Sequence, residues 1–207
     1  AAGTTTIEQA AGEPEVVDLG NFLVKMGARI EGHGTPMIRI QGVKRLRGAR
    51  HRIIPDRIET GTLLGAGART GGEVTGTNAV PRHLSALLAK LEEAGAVLDV
   101  GEDRIRCRGP ERPRPADVIT SPFPGFPTDM QAQLMTLLGL ADGLSRITET
   151  IFENRFMHAA ELNRMGARID IDGATALVRG VPHYQGAPVM ATDLRASASL
   201  VLAGLAA

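Results

Sequence analysis

MGARI at residues 26–30 returns as AGAVL at 94–98 and as MGARI at 165–169, so one glycine recurs at Gly27, Gly95 and Gly166, 68 and then 71 residues apart. Three copies at nearly constant spacing imply a repeated structural unit. Ahead of each copy runs a helical stripe: Leu19, Phe22, Leu23 and Met26; Leu84, Leu87, Leu88 and Leu91; and a weaker Phe156, Ala160 and Met165. Spacings of three and four put these residues on one face of a helix. Behind each copy come two short alternating runs, ARIEGHG with MIRIQGV, AVLDVG with DRIRCRG, and ARIDIDG with TALVRGV. Each pair reads as a hairpin. Alternating, threonine-bearing runs open the units as TTTIEQA from Thr4, EVTGTNA from Glu73 and RITETIF from Arg146. The unit is therefore strand, helix, strand, strand.

Further helices are predicted between the units, from Asp56 to about Ala68, from Asp129 to about Ala141, and from Asp193 onward. They are rich in Gly, Ala, Ser and Thr, and small residues nearly all round suit helices buried at close approach to others. The fold class is α/β (α+β), with repeated strand-helix-strand-strand units around buried inner helices. AAG before TTTIE matches Ala141-Asp142-Gly143 before RITET, and Leu205-Ala206-Ala207 falls at the same point of the cycle. The expectation is that these residues are cut from a longer polypeptide whose remaining repeats are partners of this piece.

A chain of 207 residues with 43% hydrophobic residues can build a real core. Lys plus Arg and Asp plus Glu number 23 each, so no global field draws the protein to nucleic acid or to an anionic membrane. With no Trp, one Tyr and five Phe, little aromatic surface is left for stacking bases. No run of 18 apolar residues and no signal peptide is seen. Cys107 stands alone, which rules out an internal disulfide framework and fits a reducing compartment such as the cytoplasm. It sits in a strand and reads as a structural thiol. His33, His51, His83, His158 and His183 show no ligand spacing, and no phosphate-binding glycine loop is present. Neither metal nor cofactor is expected.

FPTDMQAQ, Phe126 to Gln133, follows the stiff SPFPGFP turn and places Asp129 at a helix start. Asp129 is either a cap, accepting from first-turn N–H groups, or a reagent. Glu13 and Glu15 precede a helix whose positive end favours acids, so helix-start duty is the simpler reading. For Ile151 and Phe152 the simple reading is core packing, and for Arg155 and Arg195 it is a surface ion pair. Arg195 lies in the buried-type helix TDLRASAS, where it needs an anionic neighbour, either Asp193 or a ligand.

PDRIETGT (55–62), FPTDMQAQ, TETIFENRFMH (148–158) and MATDLRASASLVLAG (190–204) together resemble the UDP-N-acetylglucosamine 1-carboxyvinyltransferase, or enolpyruvyl transferase, family over essentially the whole chain. The resemblance implies pseudo-threefold domains, with residues 1–53 as the last unit of the first and 54–207 as most of the second. It implies transfer of enolpyruvyl from phosphoenolpyruvate to the 3′-hydroxyl of UDP-N-acetylglucosamine, the first committed step of peptidoglycan synthesis, without cofactor. By resemblance Asp129 is the general base and a sugar ligand, with Asp56 and Asp193 left as matched caps. Ile151 contacts the nucleotide with Phe152 beside it, and Arg155 and Arg195 bind substrate anions. Glu13 and Glu15 match a segment bordering the cleft. The family's Lys-Asn pair, its proton-donating Cys or Asp loop with that loop's arginine, and a late phosphate-binding arginine match nothing here, so the 207 residues are expected to be inactive alone. The shikimate-pathway enolpyruvyl transferase and a non-catalytic UDP-sugar-binding paralogue remain as alternatives.

Overall fold

The computed structural model describes residues 2–153, 155–191 and 193–207. Asn154 of TETIFENRFMH and Thr192 of MATDLRASASLVLAG lie outside the described residues. The chain divides into two compact units, one of Ala1–Pro55 with Pro122–Pro124, the other of Asp56–Ser121 with Gly125–Ala207.

The first unit runs β1 (Thr4–Glu8), α1 (Pro14–Lys25), β2 (Arg29–Glu31) and β3 (Met37–Gln41). The second runs α2 (Arg57–Arg69), β4 (Glu73–Thr77), α3 (Ser85–Glu93), β5 (Val97–Val100), β6 (Arg104–Arg108), β7 (Val118–Ile119), α4 (Gln131–Leu138), β8 (Leu144–Thr148), α5 (Met157–Arg164), β9 (Arg168–Asp172), β10 (Thr175–Arg179) and α6 (Leu194–Gly204). Sheet orders are β1-β3-β2, β4-β6-β5 and β7-β8-β10-β9. In every copy the last strand is central and antiparallel to both neighbours, in registers such as Ile7 opposite Ile38, Val74 opposite Cys107 and Ala176 opposite Ile147. β7 adds a parallel edge strand through Val118 and Ile119.

The repeated glycine explains why the chain turns where it does. Gly27, Gly95 and Gly166 all have positive φ, at 99°, 101° and 88°. In each copy the glycine N–H donates three residues back, to Val24, Glu92 and Asn163, at 2.9–3.0 Å. The following alanine N–H donates five residues back, to Leu23, Leu91 and Leu162. This pair of bonds is a Schellman motif, which satisfies the last helical carbonyls and throws the chain into the hairpin. The C-cap carbonyl is then met by the irregular chain that follows the hairpin: Arg47, Arg114 and Gln185 donate their N–H to Met26, Ala94 and Met165. A fourth recurring bond joins glycines that flank paired strands, Gly42 to Gly3, Gly109 to Gly72 and Gly180 to Gly143.

Only the middle inner helix is wrapped on all sides. Every residue of α4 is buried, including Gln131, Gln133 and Thr136. Tyr184, itself buried, donates its hydroxyl to the Thr136 carbonyl at 2.7 Å. α2 and α6 each bury one face: α2 buries Gly61, Leu64, Gly67 and Ala68 and leaves Leu63 exposed, and α6 leaves Leu194 and Val201 exposed. The expectation of an all-round buried helix fails for α2 and α6, where composition alone did not report which face finds a partner. The stripe on α1 departs in the same way: Leu19 is exposed, and Pro14, Gly20 and Ile38 are the buried residues described in the first unit. There Gly20 lets the His33 ring sit directly on the helix. The irregular stretch after β3 is tied to α1 by His51, which meets Asp18 at 2.9 Å and Lys25 at 3.1 Å and stacks on Phe22.

Two substitutions separate backbone strain from crowding. Gly27→Ala has open space around its Cβ and should lose about 1–2 kcal/mol from the left-handed conformation alone. At Gly180 a Cβ collides with the Ala141 backbone carbonyl, so Gly180→Ala should lose about 1–3 kcal/mol or more. Urea unfolding of the two variants checks the order.

Candidate functional site

The stiff arm ahead of α4 folds back on the sheet edge. Thr120 bridges to Phe126, and the Ser121 N–H donates to the Phe126 carbonyl. Phe126 is buried as the anchor, and the chain then enters a single 3-10 turn, Thr128–Met130, before α4. The helix expected from Asp129 thus starts two residues later, at Gln131.

Asp56 and Asp193 occupy true N-cap positions with extended backbones. The Oδ1 of Asp56 accepts from Ile58 and Glu59, and that of Asp193 from Arg195 and Ala196. At the Asp129 turn the N-cap position falls on Pro127, which has no side-chain acceptor, and Asp129 itself is already inside the turn. Its carboxylate makes no cap bond and points to cations instead. Arg155 Nη2 donates to Asp129 Oδ1 at 3.0 Å while Arg155 Nη1 donates to the Thr128 hydroxyl at 3.0 Å. Arg195 Nε meets the same Oδ1. The side chains of Asp129, Arg155 and Arg195 are 30%, 18% and 40% exposed, so the cluster is half-shielded and open to ligands. Arg195 is less buried than its helix suggested and makes a half-exposed ion pair, though not with Asp193, one of the two partners the sequence left open. Its anion is Asp129, brought in by folding from another element.

Arg155 also lies 4.7 Å over the Phe152 ring. Phe152, Glu153, Arg155, Met157, Asp193 and Arg195 line a cavity of about 350 Å³. The capping N–H of Ala196 is the main cause holding the Asp193 carboxyl below its ordinary value, helped by the Arg195 N–H and the Arg155 charge. A second cavity of about 450 Å³ is lined by Ile151 together with Phe152, Glu149, Phe156, Gly173 and other residues. Asp129, Phe152, Arg155 and Arg195 are therefore assembled in one place, while Ile151 faces the neighbouring cavity, with Phe152 shared by both.

Glu149 and Thr128 were not singled out by the sequence. Glu149 is buried, yet accepts from the hydroxyls of Thr120 and Thr128, each at 2.8 Å, and from the N–H groups of Ile151 and Phe152 at 2.8 and 3.2 Å. The available signal was an acid at an inward position of the alternating run RITET.

Glu13 sits at the N-cap of α1 but makes no side-chain cap bond, and Glu15 lies in the first turn. Both acids therefore stand at the positive end of α1, as the helix-start reading has it, without a cap bond from Glu13. Cys107 is fully buried in β6, and burial pushes its thiol up to about 11, so it is a packed thiol and no nucleophile. Among the described residues no three His, Cys, Asp or Glu side chains converge as a metal site, and no helix is long and apolar enough to cross a membrane.

Two comparisons give the architecture its class. The chain superposes on the crystal structure of the enolpyruvyl transferase NikO from Streptomyces tendae with a TM-score of 0.80 and 31% identity, covering 99% of this chain and 49% of that one. The profile of the EPSP synthase (3-phosphoshikimate 1-carboxyvinyltransferase) family matches residues 1–207, and the chain belongs to that family. Proteins named UDP-N-acetylglucosamine 1-carboxyvinyltransferase are more specific relatives. They include those of Anaeromyxobacter sp. (strain K), at 60% identity over 207 residues, and Xylella fastidiosa (strain 9a5c), at 58% over 209. Each match takes in all of this chain and 49% of the relative, so the chain spans about half the length of the curated relatives it matches.

Next to this cluster, burial pushes the His158 imidazole down to about 4, with Arg155 adding to the effect and Asp193 opposing it. A histidine near 6.5 when unfolded and about 4 when folded takes up its proton first in the unfolded chain. Its contribution is therefore intact above about pH 6.5 and lost progressively as pH falls toward 4. The chain should be about 2 kcal/mol less stable at pH 5 than at pH 7 from this group. His158→Gln should flatten that difference in paired urea titrations.

Proposed function

We propose that the chain forms part of an enzyme that transfers enolpyruvyl from phosphoenolpyruvate to the 3′-hydroxyl of UDP-N-acetylglucosamine, in the cytoplasm, at the entry to peptidoglycan synthesis. The carrying observation is the divergence of three helix-start aspartates: Asp56 and Asp193 cap, while the Asp129 carboxylate is held by two guanidinium groups that line the cavity. A carboxylate excused from capping is available for a proton. In the reaction the sugar oxygen bonds to C2 of the enolpyruvyl group, the C2–O bond to phosphate breaks, and the hydroxyl proton must go to a base. Asp129 is that base and also accepts from the sugar. Arg155 and Arg195 offer planar forks suited to phosphate and carboxylate, so an arriving anion can take over donors that Asp129 Oδ1 now occupies. Ile151 and Phe152 supply apolar surface for the nucleotide at the second cavity.

Residues 1–53 complete one domain of the enzyme and 54–207 form most of the other. Turnover is assigned to a polypeptide of the relatives' full length, of which this chain spans about half. The family's own description names the shikimate-pathway enzyme, but relatives at 58–60% identity bear the UDP-sugar name, which favours the nucleotide-sugar acceptor.

The test uses a polypeptide spanning the full length of the relatives. Wild type should release phosphate with UDP-N-acetylglucosamine and phosphoenolpyruvate and not with shikimate 3-phosphate. Asp129→Asn should keep UDP-sugar affinity within a few-fold in calorimetry and cut kcat by about 10²–10⁴-fold. Sugar binding without phosphate release by wild type would favour a sensor, and unchanged turnover in Asp129→Asn would remove Asp129 from the base role.

A further inference from the structure

Glu149 is a carboxylate with only 4% exposure whose four donors, two hydroxyls and two backbone N–H groups, are all neutral. Burying a charge on neutral donors is costly, so the arrangement calls for a reason that a neutral side chain would not meet. The polarity of the bonds supplies one. Glu149 Oε1 takes Thr120, Ile151 and Phe152. Glu149 Oε2 takes the Thr128 hydroxyl proton, which leaves the Thr128 lone pairs to face Arg155 Nη1. The other arm of that guanidinium then reaches Asp129. A carboxylate accepts at both ends, and only an acceptor at both ends fixes every bond in this direction.

We propose that Glu149 is a positioning residue that couples the Ile151–Phe152 segment to the Thr128–Asp129 turn and aims the Asp129 carboxylate through Thr128 and Arg155. This rests on the reading of Asp129 as the base. A ligand seated on Ile151 and Phe152 pushes on backbone N–H groups bonded to Oε1, and Oε2 of the same rigid carboxylate sets the turn that bears the base.

Glutamine separates the two ends. Its oxygen stays with the three donors at Oε1, and its NH₂ is left facing Thr128 Oγ, reversing that one bond. In the full-length polypeptide Glu149→Gln should lower kcat about tenfold while the UDP-N-acetylglucosamine KM stays within about twofold. Thr128→Val should do the same, Thr128→Ser should recover most of the loss, and the Glu149→Gln/Thr128→Val double variant should fall no more than about twofold below the worse single. Values of kcat within twofold of wild type for both singles, or losses that multiply in the double, overturn the proposal. If Glu149→Gln does not fold, Thr128→Val against Thr128→Ser decides: a loss with Val recovered by Ser supports it, and equal rates overturn it. A wild-type protein that releases no phosphate overturns the underlying reading, and that control is separate from the behaviour of the variants.

Discussion

One carboxylate oxygen receives guanidinium groups from two distant stretches of chain, Arg155 ahead of α5 and Arg195 in the first turn of α6. The position of that oxygen is dictated upstream. SPFPGFP cannot wander, Phe126 anchors its end in the core, and Pro127 takes the cap position without an acceptor to fill it. Asp129 enters the turn with helical N–H groups out of reach. Its charge, only partly solvated, is then answered by the cations that the neighbouring helices present. The loop before α5, the start of α6 and the turn before α4 are consequently held to a common point.

Charge is nearly balanced at that point, with Asp129 and Asp193 facing Arg155 and Arg195. Asp193 spends its oxygen on the backbone of α6, so the two arginines are shared among Asp129, Thr128 and the Phe152 ring. Such a cluster can accept an anion by exchanging partners and without recruiting a new cation. Phe152 forms a wall common to both cavities, so an apolar ligand surface and an anionic one can be contacted by one short segment.

The repeat was legible because its signal is local. Gly27, Gly95 and Gly166 need the left-handed region, and that requirement fixes a residue type at a fixed offset from each helix. Strands β1 and β4 start where alternation starts, whereas β8 begins at Leu144, two residues before Arg146, because pairing with Arg179 extends it. Asp129 stood out by its proline arm, and Arg155 and Arg195 by resemblance. The tie from Glu149 to Thr128 and the choice of Asp129 as partner of Arg195 were illegible, since they join residues 21 or more positions apart with no local pattern. Burial on α1, α2 and α6 failed for a related reason: pattern and composition mark a face but not what covers it.

The bonds that recur in all three copies, from glycine and alanine back into the helix and from the returning chain to the C-cap carbonyl, run main chain to main chain. They ask nothing of side chains beyond the glycine itself. Arg47, Arg114 and Gln185 can differ because only their amides are used. A duplicated module built this way can diverge freely in chemistry while its geometry is inherited. One copy can then withhold its aspartate from capping, as at Asp129, while Asp56 and Asp193 cap their helices, with no redesign of the scaffold.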